Sequence, residues 1–253
     1  MSKDAAITFY DIPSSRGAWS PNTWRARFVL NLKKIPYTTH WLNYPEIEPF
    51  MKSIGAKPTD KKPAPDDNED WYTCPVLSVD GKIIEDSLAI IDYLETAYPD
   101  TPRVYPHGTK ALQLAFGKWW LANIFMPSLR ILLPGVPPIL DPAGAEYFHS
   151  SRARWYGQPL PEWTPAGSDE RAKVWQATKE GLAKASELYT KREDTTSVWL
   201  TGATPVYADI VALSWLAFIK AAVTEKEWEE LRTWDDGFWG KLWDASAPYR
   251  SEQ

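Results

Sequence analysis

A proline set directly before a short apolar run, with a two-residue turn signal close behind it, leaves a chain few folds to choose from. Trp71 to Leu94, WYTCPVLSVDGKIIEDSLAIIDYL, is such a segment. Val76 to Val79 and Lys82 to Ile84 flank Asp80-Gly81, a dipeptide suited to the positive φ of a tight hairpin, and Ser87 to Glu95 follows with helical spacing. Pro75 cannot donate to a sheet ladder, so at the mouth of its strand it is either an edge-strand cap or a cis-Pro turn. In the cis case the Cys74 backbone leaves the sheet, and its N–H and C=O face open space where a peptide can pair as an added strand. Asp86-Ser87 opens the next helix, whose free N–H groups and positive dipole end suit a carboxylate, with Ser87 taking that carboxylate and Asp86 a neighbouring ammonium. The segment reads as a receptor for a small peptide with a free α-amino and α-carboxylate; a plain helix cap is the simpler alternative.

Upstream, Ile7 to Tyr10 alternates as a strand and a polar loop runs from Asp11 to Trp19. Ser20 is a favoured N-cap, Pro21 sits at the first helical position, and Trp24, Phe28 and Leu32 recur on one face. Tyr37 to Leu42 reads as a second strand, completing a parallel strand-helix-strand unit. Residues 45–70, with the run KPTDKKPAPDDNED, are too polar for a core and predict a short helix and then a long exposed loop bordering a site or a partner. After the proline-marked linker Tyr98 to Arg103 no strand pair with a turn signal appears. The spacing predicts a long helix over 109–133, a short one near Ala143 to Arg154 in a proline-punctuated stretch, an amphipathic one over 169–192, and another turn or two from Glu225 to Leu231. Val206 to Val223 is apolar but holds Asp209 and Lys220, so it reads as a buried helix rather than a membrane span. The fold class is therefore α/β followed by all-α, with domains at 1–99 and 104–253.

A net charge of -5 with both signs interspersed argues against nucleic acid or an anionic membrane as the main partner. One cysteine, Cys74, and three histidines leave no disulfide framework or CxxC motif and no expected metal site. Residues 1–10 lack the apolar core of a signal peptide, and a reducing cytoplasm fits. The 15 tryptophans are either a large core or aromatic surface kept for a ligand or subunit.

Taken together, the Ser-Pro helix start, CPVL, the DG hairpin, EDSLAIIDYL and the helical second half resemble the cytosolic glutathione transferases over nearly the whole chain. SPNTWRARFVL and the enlarged loop before CPVL resemble most the fungal etherase-related serine class, whose members conjugate glutathione or carry aromatic compounds. The resemblance implies a thioredoxin-like glutathione domain, a helical substrate domain and a homodimer. It matches the family's cis-proline to Pro75, its acid-serine pair to Asp86 and Ser87, the backbone that meets the cysteinyl part to Cys74, and the catalytic serine to Ser20. Lys57, Lys62 and Trp41 are candidates for the glycine carboxylate of glutathione by their placement. The second substrate, a hydrophobic aromatic molecule, is expected between the domains near Trp19, Phe116, Trp119, Trp120, Asn123 and Met126, with Trp155 and Tyr156 closing over it. One departure is Val206, which stands where the family places the hydroxyl of a capping box with Asp209; its loss should cost about 1 kcal/mol.

Conjugation needs a thiolate, and lowering a thiol pKa of ~8.5 by ~2 units takes roughly 2.7 kcal/mol. A helix N-terminus supplies ~0.3–2 kcal/mol and a hydroxyl hydrogen bond to a charge ~1.5–3, so the two together suffice at Ser20. The expected function is a glutathione transferase that conjugates aromatic electrophiles or cleaves aryl ethers. A ligandin, carrying aromatics such as polyphenols with little turnover, is the alternative. A thiol-disulfide oxidoreductase would need cysteine where Ser20 stands.

Overall fold

The computed structural model describes residues 5–253; the first four residues of the segment read above for a signal peptide lie outside them. Strands β1 (Ile7–Asp11), β2 (Thr38–Trp41), β5 (Val76–Val79) and β6 (Lys82–Glu85) form one sheet in the order β2-β1-β5-β6. β1 and β2 are parallel, with Thr8 opposite Thr38, and α1 (Pro21–Leu32) is their crossover. β5 and β6 add antiparallel through the Asp80-Gly81 turn, where both residues have positive φ as that hairpin type requires. Asp80 also accepts the Ala6 N–H through its carboxylate, tying the turn to the start of β1. This half is the mixed-sheet, thioredoxin-like unit expected from βαβ and ββα.

Between α2 (Tyr44–Ser53) and β5, the expected bare loop contains a two-stranded ribbon, β3 (Asp60–Lys61) paired with β4 (Asp70–Trp71). Strands this short and this polar carry no alternation for a pattern to detect. The remainder is helical: α3 (Ser87–Ala97), α4 (Lys110–Trp120), α5 (Met126–Leu132), α6 (Pro142–Tyr156), α7 (Asp169–Thr190), α8 (Tyr207–Ala222) and α9 (Glu225–Ala245). α9 runs far beyond the turn or two expected, because it is two helices joined by left-handed residues at Asp235, Asp236 and Gly237.

α4 and α5 make the long helix read over 109–133, interrupted by a wide π turn at Leu121–Phe125. Pro127 has no N–H to give the Asn123 carbonyl, so the ladder slips there. Gly181 of α7 lies against the same carbonyl, so close that a Cβ would come within 2.7 Å of it, and any side chain would push α7 away.

α8 is the central post, buried along nearly its whole length and packed on α1, α4, α5 and α9. Its first turn lacks the hydroxyl cap, since Val206 has none to offer. Other groups satisfy the first turn. Tyr207 N–H donates to the Val104 carbonyl and Ala208 N–H to Gln113 Oε1, both at 2.8 Å. Asp209 itself accepts from Val206 N–H (2.9 Å), Tyr189 Oη (2.9 Å) and Leu200 N–H (3.0 Å) with no solvent exposure. At the other end Arg16 Nη1 donates to the carbonyls of Lys220, Ala221 and Val223, a side-chain cap on the last turn.

Burial pushes the Asp209 carboxyl up to about 6, against the lowering effect of its three donors. Because this pKa is raised on folding, the group's contribution is fully present below the unfolded carboxylate pKa and is lost as pH rises through about 6. Asp209→Asn cannot titrate, and its stability deficit against the parent is therefore expected to be larger at pH 4.5 than at pH 7.5. The difference is bounded at roughly 3 kcal/mol by about 1.4 per pH unit, and urea unfolding at the two pH values measures it.

A second test concerns Arg27 and Asp11, an ion pair of 2.7 Å with both side chains sealed from solvent. Arg27→Met leaves the Asp11 charge buried and unpaired and is expected to cost ~3–5 kcal/mol of unfolding free energy, measured by urea unfolding, whereas Arg27→Met with Asp11→Leu costs less than that single change.

Candidate active site

A cavity of about 690 Å³ lies where the N-terminal half meets α5, α6 and α8. One wall is the start of α1, with Trp19, Ser20 and Pro21, facing Thr73 and Cys74. The lining continues with Phe148, Arg152, Trp155 and Tyr156 of α6 and with Trp215 and Phe218 of α8. Along the side run α2, through Tyr44 and Glu48, and the ribbon, through Lys62 and Trp71.

The loop before α1 is held rather than free. Ser15 N–H donates to the Ile139 carbonyl, Arg16 caps α8, Ala18 N–H donates to Glu252, and Trp24 Nε1 donates to the Ala18 carbonyl at 2.8 Å. These contacts place Ser20 as the N-cap of α1, in extended backbone and only 7% exposed. Its carbonyl accepts Trp24 N–H, while its hydroxyl makes no cap hydrogen bond. The side-chain cap bond that a serine N-cap usually makes is absent. The oxygen is therefore uncommitted at a helix N-terminus that opens on the cavity.

The Cys74–Pro75 bond is cis, and the β1–β5 ladder begins only at Val76, so Cys74 stands outside the sheet. Burial, and after it the Asp11 carboxylate, raises the Cys74 thiol well above its ordinary range, which keeps that sulfur neutral and poorly nucleophilic. Asp86 caps α3 with φ 72°, its Oδ1 accepting the N–H groups of Leu88 and Ala89 at 2.8 and 3.2 Å. One carboxylate oxygen is thus used structurally and the other is spare. Ser87 follows as the first residue of α3 and is buried.

Other expected residues lie elsewhere. Trp41 ends β2 under the Arg27 guanidinium (5.3 Å), away from the main cavity, and the Lys57 N–H donates to Glu85. Lys62 does reach the wall, paired with Glu69 at 2.8 Å and Glu48 at 3.4 Å. In the long helix the expected face is the wrong one. Trp120 is fully enclosed against Trp239, Phe116 and Trp119 pack on each other, Asn123 bonds the Trp119 carbonyl, and Met126 is exposed. Leu121, Phe125, Leu129 and Leu133 line the cavity instead. The π turn is the reason: it rotates the helix mid-course, and apolar spacing cannot register an extra residue in one turn. Pro127 was the only signal.

Sequence reasoning also missed Tyr44, Phe148 and Arg152, which α2 and α6 bring together. Tyr44 stacks on Tyr147 at 5.5 Å, Phe148 meets Trp19 edge-on, and Arg152 lies 3.9 Å over the Phe148 ring. Burial holds the Tyr44 hydroxyl up at about 12 despite Arg152 beside it, so it is a neutral donor. The ribbon loop reaches across as well, with Asp66 accepting from Arg154 (2.5 Å) and Trp155 Nε1 (3.1 Å), while Trp71 meets Trp155 at 5.2 Å.

Glutathione transferases are among the known proteins with this architecture. Residues 19–97 match the glutathione S-transferase N-terminal domain and residues 111–249 the C-terminal domain. A glutathione S-transferase of Ceriporiopsis subvermispora, solved in complex with glutathione, superimposes with a TM-score of 0.90 at 37% identity, over 98% of this chain and 99% of that one. The glutathione transferase GSTFuA3 of Phanerochaete chrysosporium gives 0.87 at 36% identity, over 98% of both chains. The glutathione S-transferase-like protein ustS of Aspergillus flavus is 28% identical over 99% of this chain and 93% of its own length. The chain belongs to the glutathione S-transferase family, with fungal transferases of the GSTFuA type among its structural neighbours.

Two tryptophans separate lining from core. Trp155→Ala is expected to weaken binding of a neutral aryl fluorophore such as N-phenyl-1-naphthylamine several-fold with little loss of stability. Trp120→Ala is expected to cost ~3–5 kcal/mol of stability and leave the remaining binding unchanged.

Proposed function

We propose that this transferase binds glutathione with its cysteinyl part along Cys74, ahead of Pro75, and its γ-glutamyl end at Asp86 and Ser87, and that Ser20 stabilises the attacking thiolate. The observation that carries the reading is the Ser20 hydroxyl, free of its cap bond, buried, at the N-terminus of a 12-residue helix and in the cavity wall. The spare Asp86 oxygen suits the γ-glutamyl ammonium, and Ser87 with the free N–H groups of α3 suits its carboxylate. The related Ceriporiopsis protein was solved with glutathione, which supports the co-substrate. Lys62 is the better placed of the earlier candidates for the glycine carboxylate, since it alone lines the cavity.

In this mechanism the serine hydroxyl donates to sulfur and the α1 dipole favours the negative charge. The thiolate then attacks an aromatic carbon bearing a leaving group, displacing halide or, from an aryl ether, alkoxide or phenoxide. The aromatic cavity walls hold the electrophile beside the sulfur. Residues 1–99 would supply the glutathione site and 104–253 the aromatic one, in a cytoplasmic homodimer. A carrier role is the second reading, favoured by the breadth of the aromatic cavity.

Initial rates with 1-chloro-2,4-dinitrobenzene and with an aryl ether, followed against pH, test the proposal. The parent rate is expected to fall only below about pH 6–7, and in Ser20→Ala the inflection should rise by about 1–2 units. Rates at the uncatalysed level in both proteins, with aryl binding intact, would instead support the carrier.

A further inference from the structure

Three basic side chains are buried among the described residues: Arg27, Lys33 and Arg152. Arg27 pairs with Asp11 and Lys33 with Glu95, each at 2.7 Å. Arg152 has no carboxylate. Its Nη1 donates to Ser151 Oγ at 2.9 Å, the half-buried Tyr44 hydroxyl lies beside it, and no other counter-group is present. A buried cation without an anion is costly, and proteins meet that cost where a ligand supplies the charge.

The setting is specific. The guanidinium sits among three rings, 3.9 Å from the Phe148 centroid, 4.9 Å from Trp155 and 5.2 Å from Tyr44. All four residues line the main cavity. Arg152 lines the cavity, and none of its N–H groups is both sealed off and unpartnered, unlike Nε of Arg27. The neighbouring charges do not compensate it. Lys52 and Lys62 share Glu48, the one acidic residue in the wall, Lys62 pairs more closely with Glu69 outside it, and Arg25, which is less buried, donates to Asn22. The cavity thus has an excess of positive charge in a chain whose net charge is -5.

We propose that Arg152 is the anion receptor of this cavity and that the second ligand is an aryl carboxylate, its ring held by the flanking aromatic side chains and its carboxylate by the guanidinium fork. A planar fork matches a planar carboxylate through two parallel hydrogen bonds, and the rings beside it limit the approach to flat molecules. This deepens the proposed function and rests on it for the identity of the reaction. The same carboxylate chemistry is carried by the glycine end of glutathione, and the test separates the two sources.

Calorimetry at saturating glutathione compares benzophenone-4-carboxylate with benzophenone in the parent, Arg152→Met and Arg152→Lys proteins. The parent is expected to bind the acid about tenfold or more tighter than the neutral ketone. Arg152→Met should abolish that preference while changing benzophenone affinity by less than about threefold, and Arg152→Lys should retain part of it. Absence of preference in the parent, or its survival in Arg152→Met, overturns the proposal. So does a loss of glutathione affinity in Arg152→Met that is not seen with the glycine ethyl ester, since Arg152 would then hold the peptide. Turnover is read separately: an acid preference that depends on Arg152, in a protein without conjugating activity, leaves the anion receptor standing and removes the transferase mechanism.

Discussion

Arg27 reaches from the middle of α1 to Asp11 at the end of β1, and on its way donates to Tyr37 and Thr39 at the start of the second strand. Burial works against the guanidinium's charge, but the Asp11 carboxylate and the Tyr37 hydroxyl together outweigh it and hold the pKa above the ordinary arginine value. One side chain thereby fixes the crossover helix against both parallel strands, with Phe9 at 5.0 Å closing over it. The position of Ser20 follows, because α1 cannot rotate or slide without breaking this pair. The segment after α9 reinforces the same helix, Asn31 donating to the carbonyls of Tyr249 and Ser251 and Glu252 accepting from Ala18. A buried ion pair is weak evidence for net stability. Its role here is to set an orientation.

The cavity depends on a second arrangement, α8 as a post shared by both halves of the chain. α8 starts without a hydroxyl cap and is completed by Gln113, Val104 and Asp209, then finished by Arg16 from the loop that ends at Ser20. The helix that carries Trp215 and Phe218 into the cavity is thus tied to the loop that carries Trp19 and Ser20. Aromatic contacts continue the link, with Trp19 5.7 Å from Phe218 and 6.3 Å from Phe148.

The parts of this structure that the chain spells locally were legible in it. The hairpin at Asp80-Gly81, the Pro21 helix start, the buried apolar helix around Asp209 and the change from mixed to helical structure near residue 100 all follow from adjacent residues and their spacing. Features set by distant partners were not. The Gln113 acceptor for α8 lies 95 residues from the N–H it takes, and Arg16 caps a helix end more than two hundred residues away. The misread face of the long helix belongs to the same class, since only Pro127 hinted at a π turn and its effect depends on α7 offering Gly181. Nothing in the sequence sets Arg152 apart from the other charged residues of its helix. Its meaning comes from the carboxylate it lacks, which only the folded chain reveals.

The central claim is that Ser20 and the α1 N-terminus hold glutathione as a thiolate, and the most direct measurement is the ultraviolet titration of that thiolate in the binary complex. Absorbance near 240 nm is followed against pH for the parent and Ser20→Ala proteins, each saturated with glutathione. The account predicts a bound thiol titrating about 2 units below the free value of ~8.5 in the parent, and back toward that value in the variant. A bound thiol that titrates at its free value, or a depressed one unmoved by Ser20→Ala, would contradict it.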